Sequence, residues 1–516
     1  MLARVFSYGL RGVDGYPVMV ELDMAGGLPG FTTVGLPDVA VRESRDRVTS
    51  AVRNSGYRFP SRRITVNLAP AQSRKEGSHF DLPIALAVLS ASGQLPAGEW
   101  SQRYCFLGEL ALDGSLRPVR GILAMAAKAQ SQGFAGMILP RENAAEAATT
   151  GLAAFGADSL KAVADFLAGE PGAALSAAQP GVQAQEERTA SGRLDLSDVR
   201  GQALAKRALE VAAAGGHHVL LVGPPGAGKS MLARRLPGIL PELSSGEAVE
   251  TTRVHSVYED RFRHGLVRQR PFRSPHHSAS QTALIGGGPG ARPGEVSLAH
   301  GGVLFLDELA EFGRAALEAM RQPMEDGRVV VARARATVEY PARFLLVGAT
   351  NPCPCGWRGH PVRPCLCTPA ALAKYQSRLS GPLLDRIDIQ VGLSAVPFAH
   401  WAGTSESDGQ PPSETSDQVR VRVKQARQRQ RDRFGREDFA LNAYIPPAEL
   451  RRHCRLNPEG VALLGEAARK FGLSARSLDR VLRVARTVAD LEANAGVTVR
   501  HLTEAMQYRC LDRWAQ

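Results

Sequence analysis

Residues 223–230 read Gly223-Pro224-Pro225-Gly226-Ala227-Gly228-Lys229-Ser230, and this stretch decides the fold. It follows an apolar run, His218-Val219-Leu220-Leu221-Val222, and precedes Met231-Leu232-Ala233-Arg234-Arg235-Leu236. The first flank predicts a buried parallel strand and the second the start of a helix. Strand, glycine-rich turn and helix, in that order, are the setting a phosphate-binding loop needs. The glycines let successive backbone N–H groups curl around phosphate oxygens, and the helix N-terminus adds positive potential. In that arrangement Lys229 reaches the β- and γ-phosphates of ATP, and Ser230 is a ligand of Mg²⁺. The competing reading, a glycine-rich surface turn, has against it the filled loop positions and both flanks.

Working outward, Gly302-Val303-Leu304-Phe305-Leu306-Asp307-Glu308 supplies a second signature. A buried strand ending in two acids places Asp307 to hold the Mg²⁺ shell. Glu308 is placed to polarise the attacking water. A third strand, Phe344-Leu345-Leu346-Val347-Gly348-Ala349-Thr350, ends at Asn351, which suits a sensor that orients water against the γ-phosphate. Its alternative is an Asn that only makes a turn before Pro352. In Ser377-Arg378-Leu379-Ser380-Gly381-Pro382-Leu383-Leu384-Asp385-Arg386-Ile387-Asp388 an arginine can stabilise γ-phosphate charge in a neighbouring subunit's site. Arg386 is the first candidate and Arg378 the second; a surface arginine paired with Asp385 or Asp388 is the alternative. Ser474-Ala475-Arg476-Ser477-Leu478-Asp479-Arg480 opens an amphipathic helix, from which Arg476, or else Arg480, reaches the nucleotide.

The 516 residues suit about three domains rather than one core. Residues 1–170 mix strand-like runs (Val18–Leu22, Ile64–Leu68) with helix-like ones (Leu82–Ser90, Gly121–Gln132) and read as α+β. Residues 171–192 lack apolar periodicity and read as a linker, residues 193–395 as the ATPase core, and residues 396–418 as a flexible loop. Residues 419–516 form a helical lid that opens with the basic run Arg420–Arg431. No apolar run reaches the roughly 18 residues of a membrane span, and the N-terminus lacks a signal peptide's apolar region. A cytoplasmic protein without membrane contact is expected. The net charge of +12 favours a polyanionic partner, nucleic acid first.

Four of the seven cysteines, Cys353, Cys355, Cys365 and Cys367, bracket a short loop containing His360. Such a group can close a tetrahedral Zn²⁺ site; the alternative is four reduced thiols in a Pro/Gly-rich loop. Cys105, Cys454 and Cys510 are isolated and read as structural.

Four further segments carry a family resemblance. They are Pro271-Phe272-Arg273-Ser274-Pro275-His276-His277-Ser278, the Gly286-Gly287-Gly288 turn, Asn351-Pro352-Cys353-Pro354-Cys355-Gly356 and Ser380–Asp388. Together they resemble the ComM/YifB family, AAA+ proteins of the magnesium-chelatase-like group, over nearly the whole chain. The resemblance implies an α/β AAA+ P-loop ATPase that forms a ring, a homo-hexamer. For ComM-type members it implies a DNA helicase that drives branch migration in natural transformation. It also implies inserts around residues 272–300 and 325–340 that project into the ring pore. On the hairpin-like stretch Gly327–Val338, Arg328, Arg333 and Arg335 are then the choice for DNA phosphate contacts, a solvated basic hairpin being the alternative. His276 and His277 match the family signature without a chemical role.

Gly77–Leu86, Leu107–Gly114 and Ile138–Asn143 resemble the Lon-protease proteolytic domain and imply its α+β fold. The active protease needs a Ser nucleophile and a Lys base. Here His79 falls near the Ser position, with Ser78 adjacent, and Leu123 or Met125 falls where the Lys should be. The scaffold is therefore expected without its dyad. Basic residues Arg62, Arg63, Arg74 and Lys75 point this domain to nucleic acid or a partner. The function expected is an ATP-driven DNA motor; the rival is a chelatase-like or chaperone-like ATPase that remodels a protein.

Overall fold

The structure is a computed structural model that describes every residue except 97, 181–193, 259–265, 289–290, 334–335, 361, 395–413, 436–439 and 510–516. The chain divides into two compact units, Met1–Glu186 with Thr252–Val267, and Glu187–Thr251 with Arg268–Gln516.

The first unit is built on a seven-stranded mixed sheet. Its order is Gly30–Val34, Arg63–Ala69, Asp14–Ala25, Leu2–Arg11, Tyr104–Phe106, Gly136–Pro140, Ala154–Ala157. Val18, Val20, Leu22 and Met24 are buried at every second position of one strand, as a strand with one face on the core requires. Helix Asp81–Ala91 is buried at every residue except Ser90, so it shows no amphipathic stripe and runs through the core.

Two boundaries differ from the sequence reading. The stretch 171–180, expected as linker, carries the chain back to the last strand, where Ala178 N–H donates to the Ala154 carbonyl at 2.8 Å. The rest of that linker lies outside the described residues. Residues 252–267, expected in the ATPase core, belong to the first unit. They contain the second half of helix Ser245–Tyr258, where Arg253 donates to the Val13 carbonyl at 2.8 Å and pairs with Asp14. A third correction concerns Lys75, expected on a basic surface. It is fully buried, donates to the Pro70 and Ser73 carbonyls, and has its pKa lowered by burial.

The second unit holds a five-stranded sheet in the order Phe272–Arg273, Val303–Leu306, Leu345–Thr350, Val219–Val222, Ile389–Gly392. Every pairing is parallel. Parallel strands covered on both faces read as continuous apolar runs, which is why Val219–Val222, Val303–Leu306 and Leu345–Thr350 are buried throughout. Truncating one such side chain, Leu221→Ala, removes about 2–5 kcal/mol.

The C-terminal region is helical. Helices Ser416–Phe434, Ala475–Leu491 and Val499–Gln507 send Val419, Val423, Val481, Val484 and Leu502 into the same hydrophobic cluster as the sheet. The first begins with a capping box between Thr415 and Gln418. Its basic residues are largely spent inside the fold: Arg427 is buried on the Ala213 carbonyl, and Arg422 pairs with Glu210 and Glu414. The loop expected at 396–418 lies mostly outside the described residues. No helix among the described residues is long and apolar enough to cross a membrane.

Candidate active site

The glycine-rich loop begins where strand Val219–Val222 ends. Gly223 N–H donates to the Thr350 carbonyl of the neighbouring strand at 3.2 Å. A Cβ on Gly223 would lie 2.9 Å from the Leu393 carbonyl oxygen, so only glycine fits there. Gly226 and Gly228 have φ of +77° and +88°, the left-handed turn that lets the loop close before helix Lys229–Ala233.

Five side chains meet at the C-terminal edge of the parallel sheet, where ligands bind in open α/β sheets. The Lys229 ammonium donates to the Gly223 carbonyl at 2.6 Å, the Pro224 carbonyl at 3.0 Å and Asn351 Oδ1 at 3.0 Å. Partial burial lowers its pKa. The Ser230 hydroxyl donates to Asp307 Oδ2 at 2.7 Å, so two hard oxygen donors converge at one point. That donor set fits Mg²⁺. Glu308 follows with φ of +52°, a left-handed conformation rare for a residue with a side chain. Its N–H donates to Asp307 Oδ1 at 3.0 Å, and its exposed carboxylate meets His277 Nδ1 at 3.0 Å.

His277 therefore acquires the partner that sequence reasoning did not supply. It stands five residues beyond the start of strand Phe272–Arg273, beside Val303–Leu306, and its ring lies 4.1 Å from that of His276. Gln202 was missed altogether. It donates to the Ala227 carbonyl at 3.2 Å and the Ser394 carbonyl at 2.8 Å, clasping the loop from behind. The only sequence signal was Gly201-Gln202 ahead of helix Ala203–Gly215. The Tyr375 hydroxyl lies 3.2 Å from Thr350 Oγ1 and ties helix Pro369–Gln376 to the third strand.

The four arginine candidates are placed differently. Arg386 is 10% exposed, pairs with Glu325 at 2.5 Å and donates to the Pro382 carbonyl. Its Nε is buried without a hydrogen bond. Arg378 is 46% exposed and pairs with Glu311 at 2.6 Å. Arg476 is exposed in the first turn of helix Ala475–Leu491. Arg480 lies 3.4 Å from Asp388, which also bonds His217. Burial pushes the Asp388 carboxyl up, but the His217 hydrogen bond and the nearby positive charges hold it well below the usual carboxylate range.

The expected hairpin is present as antiparallel strands Arg328–Arg333 and Ala336–Pro341. Val329, Val331, Val338 and Tyr340 are buried, leaving the alternate positions outward. Arg328 faces out but pairs across the hairpin with Glu339 at 3.2 Å. Arg333 ends its strand, and Arg335 lies outside the described residues.

Between Asn351 and helix Pro369–Gln376, the Sγ atoms of Cys353, Cys355, Cys365 and Cys367 all lie within 4.8 Å of one another. Neighbouring separations are 3.4 Å for Cys353 to Cys355, 3.6 Å for Cys355 to Cys365 and 3.7 Å for Cys353 to Cys365. Backbone N–H groups of Trp357 and Leu366 lower the pKa of Cys355 to about 6, whereas burial raises that of Cys353, and that of Cys367 rises against a backbone hydrogen bond from Cys355 through burial and the surrounding thiols. His360 turns its Nδ1 to the Val362 and Arg363 N–H groups and supports the loop. Cys105 and Cys454 are buried and free, and Cys510 lies outside the described residues.

In the first unit, the Ser78 hydroxyl bonds the Glu109 carboxylate. His79 is buried against Phe80, and burial lowers its pKa to about 4. Leu123 and Met125 are fully buried in helix Ile122–Ser131.

Comparison with known proteins matches the chain to one family along most of its length. The family described as "Magnesium chelatase, subunit ChlI" matches residues 195–400. "Subunit ChlI of Mg-chelatase" matches residues 20–143, and "Magnesium chelatase, subunit ChlI C-terminal" matches residues 413–509. The chain is 44% identical to competence protein ComM of Haemophilus influenzae over 517 residues, covering 100% of this chain and 99% of that one. It is 45% identical to YifB of Escherichia coli over 514 residues, 99% of this chain and 98% of that protein. A magnesium-chelatase 67 kDa subunit of Chlorobaculum tepidum is 33% identical over 161 residues, 30% of this chain and 23% of its own length.

Proposed function

The chain belongs to the ComM/YifB family of magnesium-chelatase-like AAA+ proteins, and we propose that it is a ring-forming ATP-driven DNA motor promoting branch migration in natural transformation and recombination. The observation that carries the ATPase part is the convergence of Lys229, Ser230, Asp307, Glu308 and Asn351 on one sheet edge. On this reading the loop N–H groups and Lys229 bind the phosphates of ATP. Ser230 and Asp307 hold Mg²⁺, which supplies positive charge to the β- and γ-oxygens. Glu308 accepts the proton of the attacking water, and Asn351 orients that water. Arg386 of one subunit stabilises γ-phosphate charge at its neighbour's site, and Arg476 approaches from the helical lid. The four cysteines hold Zn²⁺, since sulfurs 2.3 Å from a tetrahedral metal stand about 3.8 Å apart.

The DNA part draws on the net charge of +12, the hairpin and the name of the Haemophilus relative. The assembly is a homo-hexamer at work in the cytoplasm, with Arg328, Arg333 and Arg335 on the DNA backbone. The first unit keeps a Lon-protease-like scaffold and serves binding rather than peptide cleavage. The ChlI matches also support a second reading, a chelatase-like or chaperone-like ATPase that remodels a protein partner.

DNA binding and unwinding separate the two. Phosphate contacts carry no sequence information, so affinity should tolerate sequence and fall steeply with salt. Arg333→Ala with Arg335→Ala should reduce the log–log salt slope by about 2. It should also abolish ATP-driven strand displacement while sparing DNA-independent hydrolysis. Wild-type protein that neither binds DNA at low salt nor hydrolyses ATP faster with it overturns the motor and favours protein remodelling.

A further inference from the structure

The loop carrying the four cysteines is also the loop that touches the glycine-rich turn. Cys353 to Gly356 form a tight turn closed by Gly356 N–H on the Cys353 carbonyl at 2.9 Å. Gly356 has φ of +80°, and a Cβ there would lie 2.7 Å from Pro225 Cδ and 3.0 Å from Pro225 Cγ. The backbone of this turn thus rests directly on the phosphate-binding loop. Two residues before the turn, Asn351 receives Lys229 at 3.0 Å. At the other end, Cys365 and Cys367 lie just ahead of helix Pro369–Gln376, whose Tyr375 meets Thr350 at 3.2 Å. The two cysteine pairs therefore sit at the two ends of a connection that starts and finishes against the nucleotide edge.

Between the pairs, Cys355 and Cys365 are 10 residues apart in sequence but 3.6 Å apart in space. Holding that closure without a cross-link costs chain entropy. A shared metal makes it a covalent-strength clip, and four thiolates at these separations select a mononuclear tetrahedral ion.

We propose that the four-cysteine zinc site is a clip that presses the Cys353–Gly356 turn onto Pro225 and holds Asn351 at the nucleotide edge, so that zinc occupancy sets the affinity of the loop for nucleotide. This rests on reading the glycine-rich loop as the nucleotide site and the cysteines as a zinc site. The device is structural: none of the four thiols is among the side chains that bind phosphate, Mg²⁺ or water on that reading. Removing it frees the turn, unseats Asn351 and loosens the loop. Because coupling between two binding sites is reciprocal, bound nucleotide must hold zinc more tightly by the same factor.

Full-length protein purified without chelator is assayed for zinc by elemental analysis and for binding of a fluorescent ADP analogue. The expected results are about one zinc per chain and, in Cys365→Ser and Cys367→Ser, zinc loss with nucleotide affinity weakened about tenfold or more. Circular dichroism checks that these variants remain folded. Gly356→Ala covers the case in which they do not. It leaves all four thiols in place but drives a methyl group into Pro225, so it should keep its zinc and still lose nucleotide affinity. Saturating ADP should slow zinc extraction by a colorimetric chelator. Zinc present and nucleotide affinity unchanged on its removal overturns the clip while leaving both sites standing. No zinc in the wild-type protein overturns the metal site, and no nucleotide binding by zinc-loaded wild type overturns the reading beneath it.

Discussion

The sheet edge of the second unit and the Ser78–His79 corner of the first both gather polar side chains, and they treat them in opposite ways. At the sheet edge Lys229, Ser230, Asp307 and Asn351 are half-buried and Glu308 is exposed, each bonded to another polar group of the edge or its flanks. These groups keep one side open and can exchange their present partners for phosphate, metal or water. In the first unit, Lys75, His79 and Asp81 by that corner, and Glu146 beside Leu123, are closed in. Burial lowers Lys75 and His79 and raises Asp81 to about 6 and Glu146 to about 8. Arg47 meets Asp81 at 2.6 and 3.0 Å, and carbonyls take up Lys75. Perturbed ionisation alone does not mark a reactive site; here it follows from burial.

The largest break in that comparison comes from one atom exchanged at each place. Glu308→Gln should lower ATP turnover roughly 100- to 10,000-fold, because an amide cannot take the proton from water. Nucleotide binding should survive, since Lys229 and the loop are untouched. Ser78→Ala should leave turnover at the wild-type rate. Normal hydrolysis by Glu308→Gln would remove Glu308 from its role, and a peptidase activity lost in Ser78→Ala would reverse the contrast. His277→Ala sharpens the same point. Releasing the Glu308 carboxylate from its 3.0 Å partner should change kcat with little change in KM, and assays across ATP concentration read that split. A change in KM alone would make His277 part of nucleotide binding instead.

A smaller effect tests whether the edge is complete within one subunit. Arg386 is paired with Glu325 and carries a buried Nε without a hydrogen bond among the described residues. An arginine acting across a boundary makes defects complementary. Lys229→Ala and Arg386→Ala subunits, each inactive alone, should regain partial hydrolysis when mixed, as some interfaces pair an intact loop with an intact arginine. Rings that form but show no rescue at any ratio would move the role to Arg378, the more exposed of the two at 46% against 10%.

How much of this was readable in the sequence follows from how local each interaction is. Strand Val219–Val222, the loop and Asp307-Glu308 were legible because each is a short run with its own pattern. The hairpin was legible for the same reason, although the pairing of Arg328 with Glu339 shows how far a basic stretch can neutralise itself. The contacts of His277 with Glu308 and Gln202 with the loop join residues 31 and 25 positions apart and leave no periodic trace. Lys75 misled because a lysine next to Arg74 looks solvated, whereas its strand-end loop folds two carbonyls over the ammonium. The placement of residues 252–267 with the first unit was hidden too, since one continuous helix gives no sign of a division within it.

The smallest effect probes the closed-in acids of the first unit. Glu146 accepts the N–H of Leu123, one of the two positions where the resemblance to a protease would bring in a lysine, at 3.2 Å, and burial raises its pKa from 4.5 to about 8. The unfolded chain releases this proton near 4.5, while the folded one keeps it to about 8. The associated stability is therefore fully present below 4.5 and is lost progressively as pH rises towards 8. Glu146→Gln keeps the accepting oxygen and cannot ionise. It should melt close to wild type at pH 5 and several degrees higher at pH 8, read by thermal unfolding of the full chain. His79 has the opposite sign: its pKa falls from 6.5 to about 4, so acidification through that window destabilises the same unit. Equal melting shifts for Glu146→Gln at both pH values would mean that the fold does not raise the Glu146 pKa, and this buried acid would then not differ from the open ones of the sheet edge.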